Sequence, residues 1–77
     1  VSPNGDGAND TFDLTRLNPN KVEIFNRYGV KIFEQANYTN QWFGQTNDGD
    51  ELPAATYYYV AEMKDGEVKS GWVYLSR

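Results

Sequence analysis

Turn-forming residues interrupt this chain so often that a fold built on long helices is excluded. Short clusters of Gly, Asn, Asp and Pro recur about every 8–12 residues, and the stretches between them are rich in aromatic and β-branched side chains. No stretch has the helical apolar period of about 3.6 residues or the heptads of a coiled coil, and no segment repeats at a fixed interval. The pattern predicts an all-β protein made of short antiparallel strands.

The core of such a protein must be built largely from aromatic rings. The chain has 77 residues, enough for one small domain, and contains four Phe, two Trp and six Tyr but no Cys or His. Disulfides and thiolate metal sites are therefore excluded, and the commonest general base is missing. We do not expect an enzyme.

The charge distribution argues against nucleic acid as a binding partner. The net charge is -4, and acidic residues concentrate in two loops, near the start of the chain and at residues 47–51. A phosphate backbone is a poor partner for such a surface, so nucleic acid is not expected. No apolar run is long enough to insert into a bilayer, and the start lacks the features of a signal peptide. We interpret residues 1–77 as one domain of a longer protein.

A hairpin near the end of the chain is the clearest local signal. Strands are predicted at residues 56–64 and 67–76, joined by a two-residue type I′ turn at Asp65-Gly66. This turn places Tyr57 opposite Tyr74, and alternation then separates two sets of side chains. Both sets are apolar, and a two-layer sandwich covers only one face of each sheet, so the second face is expected to be either capped by a loop or left as an exposed patch of the kind that marks an interface. One face is predicted to hold Tyr57, Tyr59, Trp72 and Tyr74, and the other Tyr58, Val60, Val73 and Leu75.

A second hairpin is predicted within residues 22–35. A bulged three-residue loop ending at Gly29 opposes Ile24 to Ile32, whereas a two-residue turn would oppose Glu23 to Glu34. The bulged loop is therefore preferred. One face should carry Val22, Ile24, Val30 and Ile32, and the opposite face Phe25 and Phe33.

Two further short strands are predicted at residues 11–17 and 40–43. Short antiparallel strands joined by tight turns are typical of sandwiches and small barrels. The expected fold is a small immunoglobulin-like antiparallel β-sandwich of about six to seven strands.

The first acidic loop matches the spacing of a calcium-binding loop, in which oxygen ligands alternate along the chain around a central glycine, here Gly7. The alternative is a turn whose polar side chains bind their own backbone. The candidate ligands are Ser2, Asn4, Asp6, the carbonyl of Ala8, Asp10 and Asp13.

Six motifs, taken in their order and spacing, resemble the gliding-motility-associated C-terminal domain, the type B sorting domain of the bacterial type IX secretion system. They are SPNGDGANDTF at residues 2–12, IFNRYG at 24–29, Trp42 with Gly44, Leu-Pro at 52–53, TYYYV at 56–60 and SGWVYL at 70–75. Two segments depart from the family pattern. Phe43 stands where an acid is common, and Ala54-Ala55 replaces Asp-Gly before the tyrosines.

The resemblance implies a role as an address label. Such domains lie at the extreme C-terminus of large surface or secreted proteins of Bacteroidetes. The label would fold in the periplasm and dock on a PorP/SprF-type outer-membrane protein, with the shuttle protein PorV as a further partner. Its parent would finish at the cell surface or in the medium.

A folded label needs an exposed patch or a free strand edge for its receptor, and the last strand is expected to offer both. Core packing is an equally good explanation for Trp72 and Tyr74, whereas Arg77 has no comparable one. The expected contact residues are Trp72, Val73, Tyr74, Leu75 and Arg77, followed by Arg27 and Tyr28 at the tip of the first hairpin.

Two functions of other classes remain open from the residues alone. Exposed Trp and Tyr rings are typical of a carbohydrate-binding module, because ring faces stack on sugars. The acidic loop is also compatible with a calcium-stiffened adhesin repeat.

Overall fold

One antiparallel sheet organises the protein. The computed structural model describes residues 1–3, 5 and 10–77, and the strands in these ranges are β1 (Lys21–Phe25), β2 (Lys31–Ala36), β3 (Ala55–Glu62) and β4 (Val68–Leu75). They form a four-stranded sheet in the order β2-β1-β3-β4. The described ranges hold no helix long and apolar enough to cross a membrane.

The core lies against one side of this sheet, which we call the inner face. Trp42, from the long loop between β2 and β3, is fully buried there. Its ring meets those of Phe12 and Tyr57 edge to face, with centroids 6.4 and 5.7 Å apart. Truncating a buried indole of this kind costs about 3–5 kcal/mol, so this loop residue is a main source of stability. The buried apolar residues are Leu14, Val22, Ile24, Phe33, Tyr38, Trp42, Tyr57, Ala61, Met63, Val73 and Leu75.

Loops cover the inner face where a sandwich would place a second sheet. The Phe12 N–H donates to the Trp42 carbonyl (2.8 Å), and the Tyr38 hydroxyl donates to the Phe12 carbonyl (2.6 Å). The Leu14 N–H donates to Asn40 Oδ1 (2.9 Å). These bonds join the N-terminal segment to the loop between β2 and β3 without forming a strand ladder.

The all-β class is therefore confirmed, whereas the strand count is smaller than expected and the immunoglobulin-like sandwich is not confirmed. The strands predicted at residues 11–17 and 40–43 are wrong. The N–H groups of Leu17 and Asn18 both bond to the Leu14 carbonyl, so the chain curls into a turn. Asn40, the first residue of the other predicted strand, has a positive φ of 66°, which is incompatible with an extended strand, and residues 40–43 form no strand.

The hairpin of β3 and β4 forms, but its turn is not the predicted type I′. The loop has three residues, Lys64-Asp65-Gly66: the Met63 N–H donates to the Glu67 carbonyl (2.7 Å) and the Gly66 N–H to the Met63 carbonyl (3.0 Å). A type I′ turn needs positive φ at both central residues, and here Gly66 (φ 89°) has it while Asp65 does not. The extra loop residue moves the register by one.

This shift changes which side chains of β4 lie beside those of β3. Tyr57 pairs with Val73 and Tyr58 pairs with Trp72. The predicted pairing of Tyr57 with Tyr74 is wrong, and so is the predicted grouping of faces. Val73 lies on the inner face with Tyr57, while Trp72 lies on the opposite face with Tyr58.

The first hairpin has the predicted three-residue loop. The Asn26 N–H donates to the Val30 carbonyl (3.0 Å), and Gly29 has a φ of 82°. A bulge beyond the loop then shifts the pairing, so that Ile24 faces Phe33 and not Ile32. Phe33 is consequently buried with Val22 and Ile24 (3% exposed), whereas Val30 is 57% exposed, so the predicted grouping is wrong for Phe33 and Val30.

The bulge also brings together two glutamates that the predicted register had kept apart. Glu23 now faces Glu34 across β1 and β2. Lys31 Nζ lies 3.3 Å from a carboxylate oxygen of each and compensates their charge, and Lys21 Nζ lies 3.7 Å from Glu34. Hydrogen bonds to Glu34 and Glu23, in that order, raise the pKa of Lys31.

Candidate partner-binding surface

The side of the sheet opposite the core, which we call the outer face, carries a row of three aromatic rings. The register places Phe25 of β1 beside Tyr58 of β3, and Tyr58 beside Trp72 of β4. The rings of Tyr58 and Trp72 meet edge to face, with centroids 5.0 Å apart and an interplanar angle of 68°. Trp72 is 65% exposed. The loops that cover the inner face leave this large apolar surface in contact with solvent.

A shallow groove of about 390 Å³ runs along this aromatic row. It is mainly apolar, and residues of the turn between β1 and β2 form part of its lining. The lining residues are Phe25, Asn26, Arg27, Gly29, Tyr58, Val60 and Trp72.

The turn beside the groove is held in a defined shape. Asn26 Oδ1 accepts hydrogen bonds from the N–H groups of Tyr28 (2.9 Å) and Val30 (3.0 Å). An Asn side chain that bonds the following backbone in this way stabilises a tight turn. Arg27 then donates from Nη2 to the Tyr28 hydroxyl (2.9 Å), with its guanidinium carbon 5.0 Å from the centre of the Tyr28 ring. The predicted pair at the hairpin tip is thus exposed and next to the groove.

The predicted contact residues on the last strand divide between the two faces. Trp72 and Tyr74 lie on the outer face, and Tyr74 is 61% exposed. Val73 and Leu75 lie on the inner face, with 7% and 0% of their surfaces exposed. The side chains of Val73 and Leu75 therefore pack in the core and are not presented to a partner.

Arg77 anchors the end of the chain to the long loop. Its Nε donates to the Leu52 carbonyl (2.6 Å), its Nη2 to the Gly44 carbonyl (2.6 Å), and its Nη1 lies 3.6 Å from Glu51. Leu75, just before it, packs against Gly44, where an added Cβ would lie 2.7 Å from Leu75 Cδ1. Arg77 thus has a structural role that the sequence pattern did not indicate.

Both edges of the sheet carry contacts from outside the strands. On β2, the Glu34 N–H donates to Asn47 Oδ1, and Asn47 Nδ2 donates to the Glu34 carbonyl, each at 2.8 Å. On β4, the Val1 amino group donates to the Tyr74 carbonyl (2.7 Å), and the Ser76 N–H donates to the Val1 carbonyl (2.7 Å). Such contacts restrict pairing with a further strand. The outer face is therefore a better candidate for recognition than either edge.

The predicted calcium ligands fall partly outside the described residues, which do not include Asn4, Asp6 and Ala8. Asp10 Oδ1 accepts a hydrogen bond from the Gly5 N–H (3.1 Å). In the part of the chain that the structure describes, no three acidic side chains are grouped to hold a metal ion. Calcium binding by this loop remains a prediction.

Asp13, the last predicted ligand, has partners within the protein. Its Oδ1 accepts from the N–H (2.9 Å) and hydroxyl (2.6 Å) of Thr15, and from Asn40 Nδ2 (3.2 Å). The side-chain and backbone hydrogen bonds from Thr15 lower the pKa of Asp13. These contacts match the alternative explanation of the loop, in which polar side chains bind the local backbone.

Three outer-face residues were absent from the predicted contact set: Phe25, Tyr58 and Val60. Their position follows from the registers of both hairpins together. The sequence favours a three-residue loop ending at Gly29 because of the strand pairings that this loop permits. A loop of the same type ending at Gly66 places Tyr58 beside Trp72, as observed. The signal was therefore present, but Asp65-Gly66 is compatible with both turns.

Comparison with known proteins identifies the family. The family model of the CHU_C type IX secretion signal domain matches residues 1–75. No curated protein and no solved structure matches the chain. The match confirms the resemblance to a type B sorting domain. This is a family of secretion signals and not of enzymes, and its role implies interaction with the secretion machinery and export to the cell surface or the medium. The chain thus belongs to the CHU_C family of type IX secretion signal domains.

Proposed function

We propose that this domain is a folded sorting signal at the C-terminal end of a longer surface or secreted protein. It passes through the periplasm and docks on a PorP/SprF-type protein of the outer membrane, with PorV as a second candidate partner. The observation that carries the proposal is the family match over residues 1–75 in a domain with an uncovered outer face.

The outer face supports docking by a folded domain. Exposed apolar patches on small soluble proteins often mark contact surfaces, and aromatic residues are enriched in such contacts. Trp72 and Tyr74 are large and exposed, and Arg27 and Tyr28 extend the surface at the hairpin tip. Trp, Tyr and Arg are also the residue types that dominate binding energy at interfaces.

Reporter export tests the proposal directly. The complete 77-residue chain is fused to the C-terminus of a periplasmic fluorescent reporter in a host with a working type IX system and the cognate PorP/SprF protein. We expect the reporter at the cell surface or in the medium, and in the periplasm when the translocon is deleted. A stable fusion that stays in the periplasm of the competent host would refute the proposal.

Carbohydrate binding is a second candidate, supported by the exposure of Trp72. The geometry is less favourable to it, because the rings of Trp72 and Tyr58 are inclined by 68° and so do not form one flat stacking platform. A glycan array probed with the domain and with Trp72→Ala separates the two functions. Avid binding that the substitution removes would favour the carbohydrate function.

A further inference from the structure

The groove on the outer face combines an apolar floor with a single type of charge. Phe25, Tyr58, Val60 and Trp72 form the floor, and Arg27 is the charged residue of its lining. A partner that buries this floor must also lie close to the guanidinium group. A matching ligand therefore needs an apolar group for the floor and a negative charge for Arg27.

Arg27 makes no ion pair with any residue in the described ranges 1–3, 5 and 10–77. Its polar contact is the neutral hydroxyl of Tyr28 (2.9 Å). Lys31 and Arg77, in contrast, lie within 3.3 and 3.6 Å of carboxylate oxygens. The groove therefore presents a positive charge that no carboxylate of the described residues pairs with, on a domain whose net charge is -4.

The turn holds Arg27 ready for an incoming anion. Asn26 fixes the backbone on both sides of the turn tip, and Tyr28 stacks under the guanidinium at 5.0 Å. An ordered guanidinium loses less side-chain entropy when it forms a two-point contact with a carboxylate. The Tyr28 hydroxyl is a weaker partner than a carboxylate and can be exchanged for one.

We propose that the groove binds an extended acidic and apolar peptide segment of the docking partner. An apolar side chain of this segment packs on the row of Phe25, Tyr58 and Trp72, and a neighbouring Asp or Glu pairs with Arg27. The inference rests on the proposed function, because it specifies the surface and the chemistry through which the sorting signal is recognised.

Matched substitutions in the reporter fusion test both parts of the proposal. Arg27→Glu reverses the charge at the groove, and Arg16→Glu makes the same change at an exposed site away from it. Trp72→Ala removes an exposed ring from the row, and Phe43→Ala removes an exposed ring from the long loop. Far-UV circular dichroism and melting curves of the isolated chains verify that these variants, and Arg27→Lys as well, are folded.

We expect Arg27→Glu and Trp72→Ala each to lower the exported fraction at least about tenfold, the effect of losing a central contact or facing like charges. Arg16→Glu and Phe43→Ala should be exported like the parent, and Arg27→Lys should retain more export than Arg27→Glu because it keeps the charge.

Three outcomes would overturn the inference. Normal export of Trp72→Ala excludes the groove as the docking surface. Normal export of Arg27→Glu excludes an acidic segment, as would equal losses for Arg16→Glu and Arg27→Glu, which would indicate a general charge effect. If the parent fusion itself is not exported, the proposed function fails first, so the two failures are distinguishable.

Discussion

The packing of the chain end against Gly44 makes a sharp prediction for Gly44→Ala. Gly44 has a φ of 97°, and a Cβ there would lie 2.7 Å from Leu75 Cδ1 and 2.8 Å from Arg77 Nη2. Leu75 is fully buried, so it cannot move aside without disturbing the core. The substitution therefore combines backbone strain with overpacking.

Gly49 provides a matched control within the same loop. Its φ is 91°, close to that of Gly44, but a Cβ there would meet nothing within 4 Å. An L-residue in this region of φ costs about 1–2 kcal/mol. Gly49→Ala should lower the free energy of unfolding by that amount, and Gly44→Ala should lower it by about 1–3 kcal/mol more because of the overpacking.

Urea unfolding followed by far-UV circular dichroism measures both changes. We expect unfolding midpoints in the order parent, Gly49→Ala, Gly44→Ala, with similar slopes against urea concentration. Equal losses of unfolding free energy in the two variants would refute the argument, because the close contacts of a Cβ at residue 44 with Leu75 and Arg77 have no counterpart at residue 49.

Two further substitutions test other contacts. Burial raises the pKa of Tyr38 to about 12, so its contribution to stability is complete below the unfolded pKa of about 10 and falls as pH rises toward 12. Tyr38→Phe loses the hydrogen bond to the Phe12 carbonyl and the one from the Trp42 N–H, and should cost about 1–2 kcal/mol at pH 8. This stability advantage of the parent over the variant should shrink as pH rises above about 10; a pH-independent gap in urea midpoints would contradict this. Arg77→Lys should cost about 1 kcal/mol and speed amide exchange in residues 44–52, since Lys lacks the planar guanidinium whose Nε and Nη2 donate separately to the two loop carbonyls, whereas Arg16→Lys should change neither.

The local rules of turns and strands predicted much of the sheet. The loop ending at Gly29 was predicted from the pairings it permits, and its hydrogen bond and positive φ are present. The bulge that follows was not predicted, because avoiding the Glu23–Glu34 contact favoured a regular register. Lys31 removes that penalty by contacting both carboxylates, and burial of Phe33 then favours the bulged pairing.

The candidate site was predicted less completely than the fold. Trp72, Tyr74, Arg27 and Tyr28 could be selected from the sequence because their residue types suit an interface. The aromatic row spans three strands, so its composition depends on two registers and on the strand order. The sequence assigns Arg77 to binding because it offers no packing role for this residue. Its structural role is not predictable locally, since its carbonyl partners lie 25 and 33 positions away in the chain.

By itself, the sequence determined the all-β class, both hairpins and, through the order of its motifs, the secretion-signal family. These properties depend on local backbone preferences and on residues at fixed spacings. Only the tertiary structure decided which rings face solvent, because side chains alternate with a period of two and one extra loop residue at Lys64-Asp65-Gly66 reverses every face of β4 relative to β3. It also decided that, within the described residues, loops around Trp42 and not a second sheet cover the core, since that choice depends on burial summed over many residues.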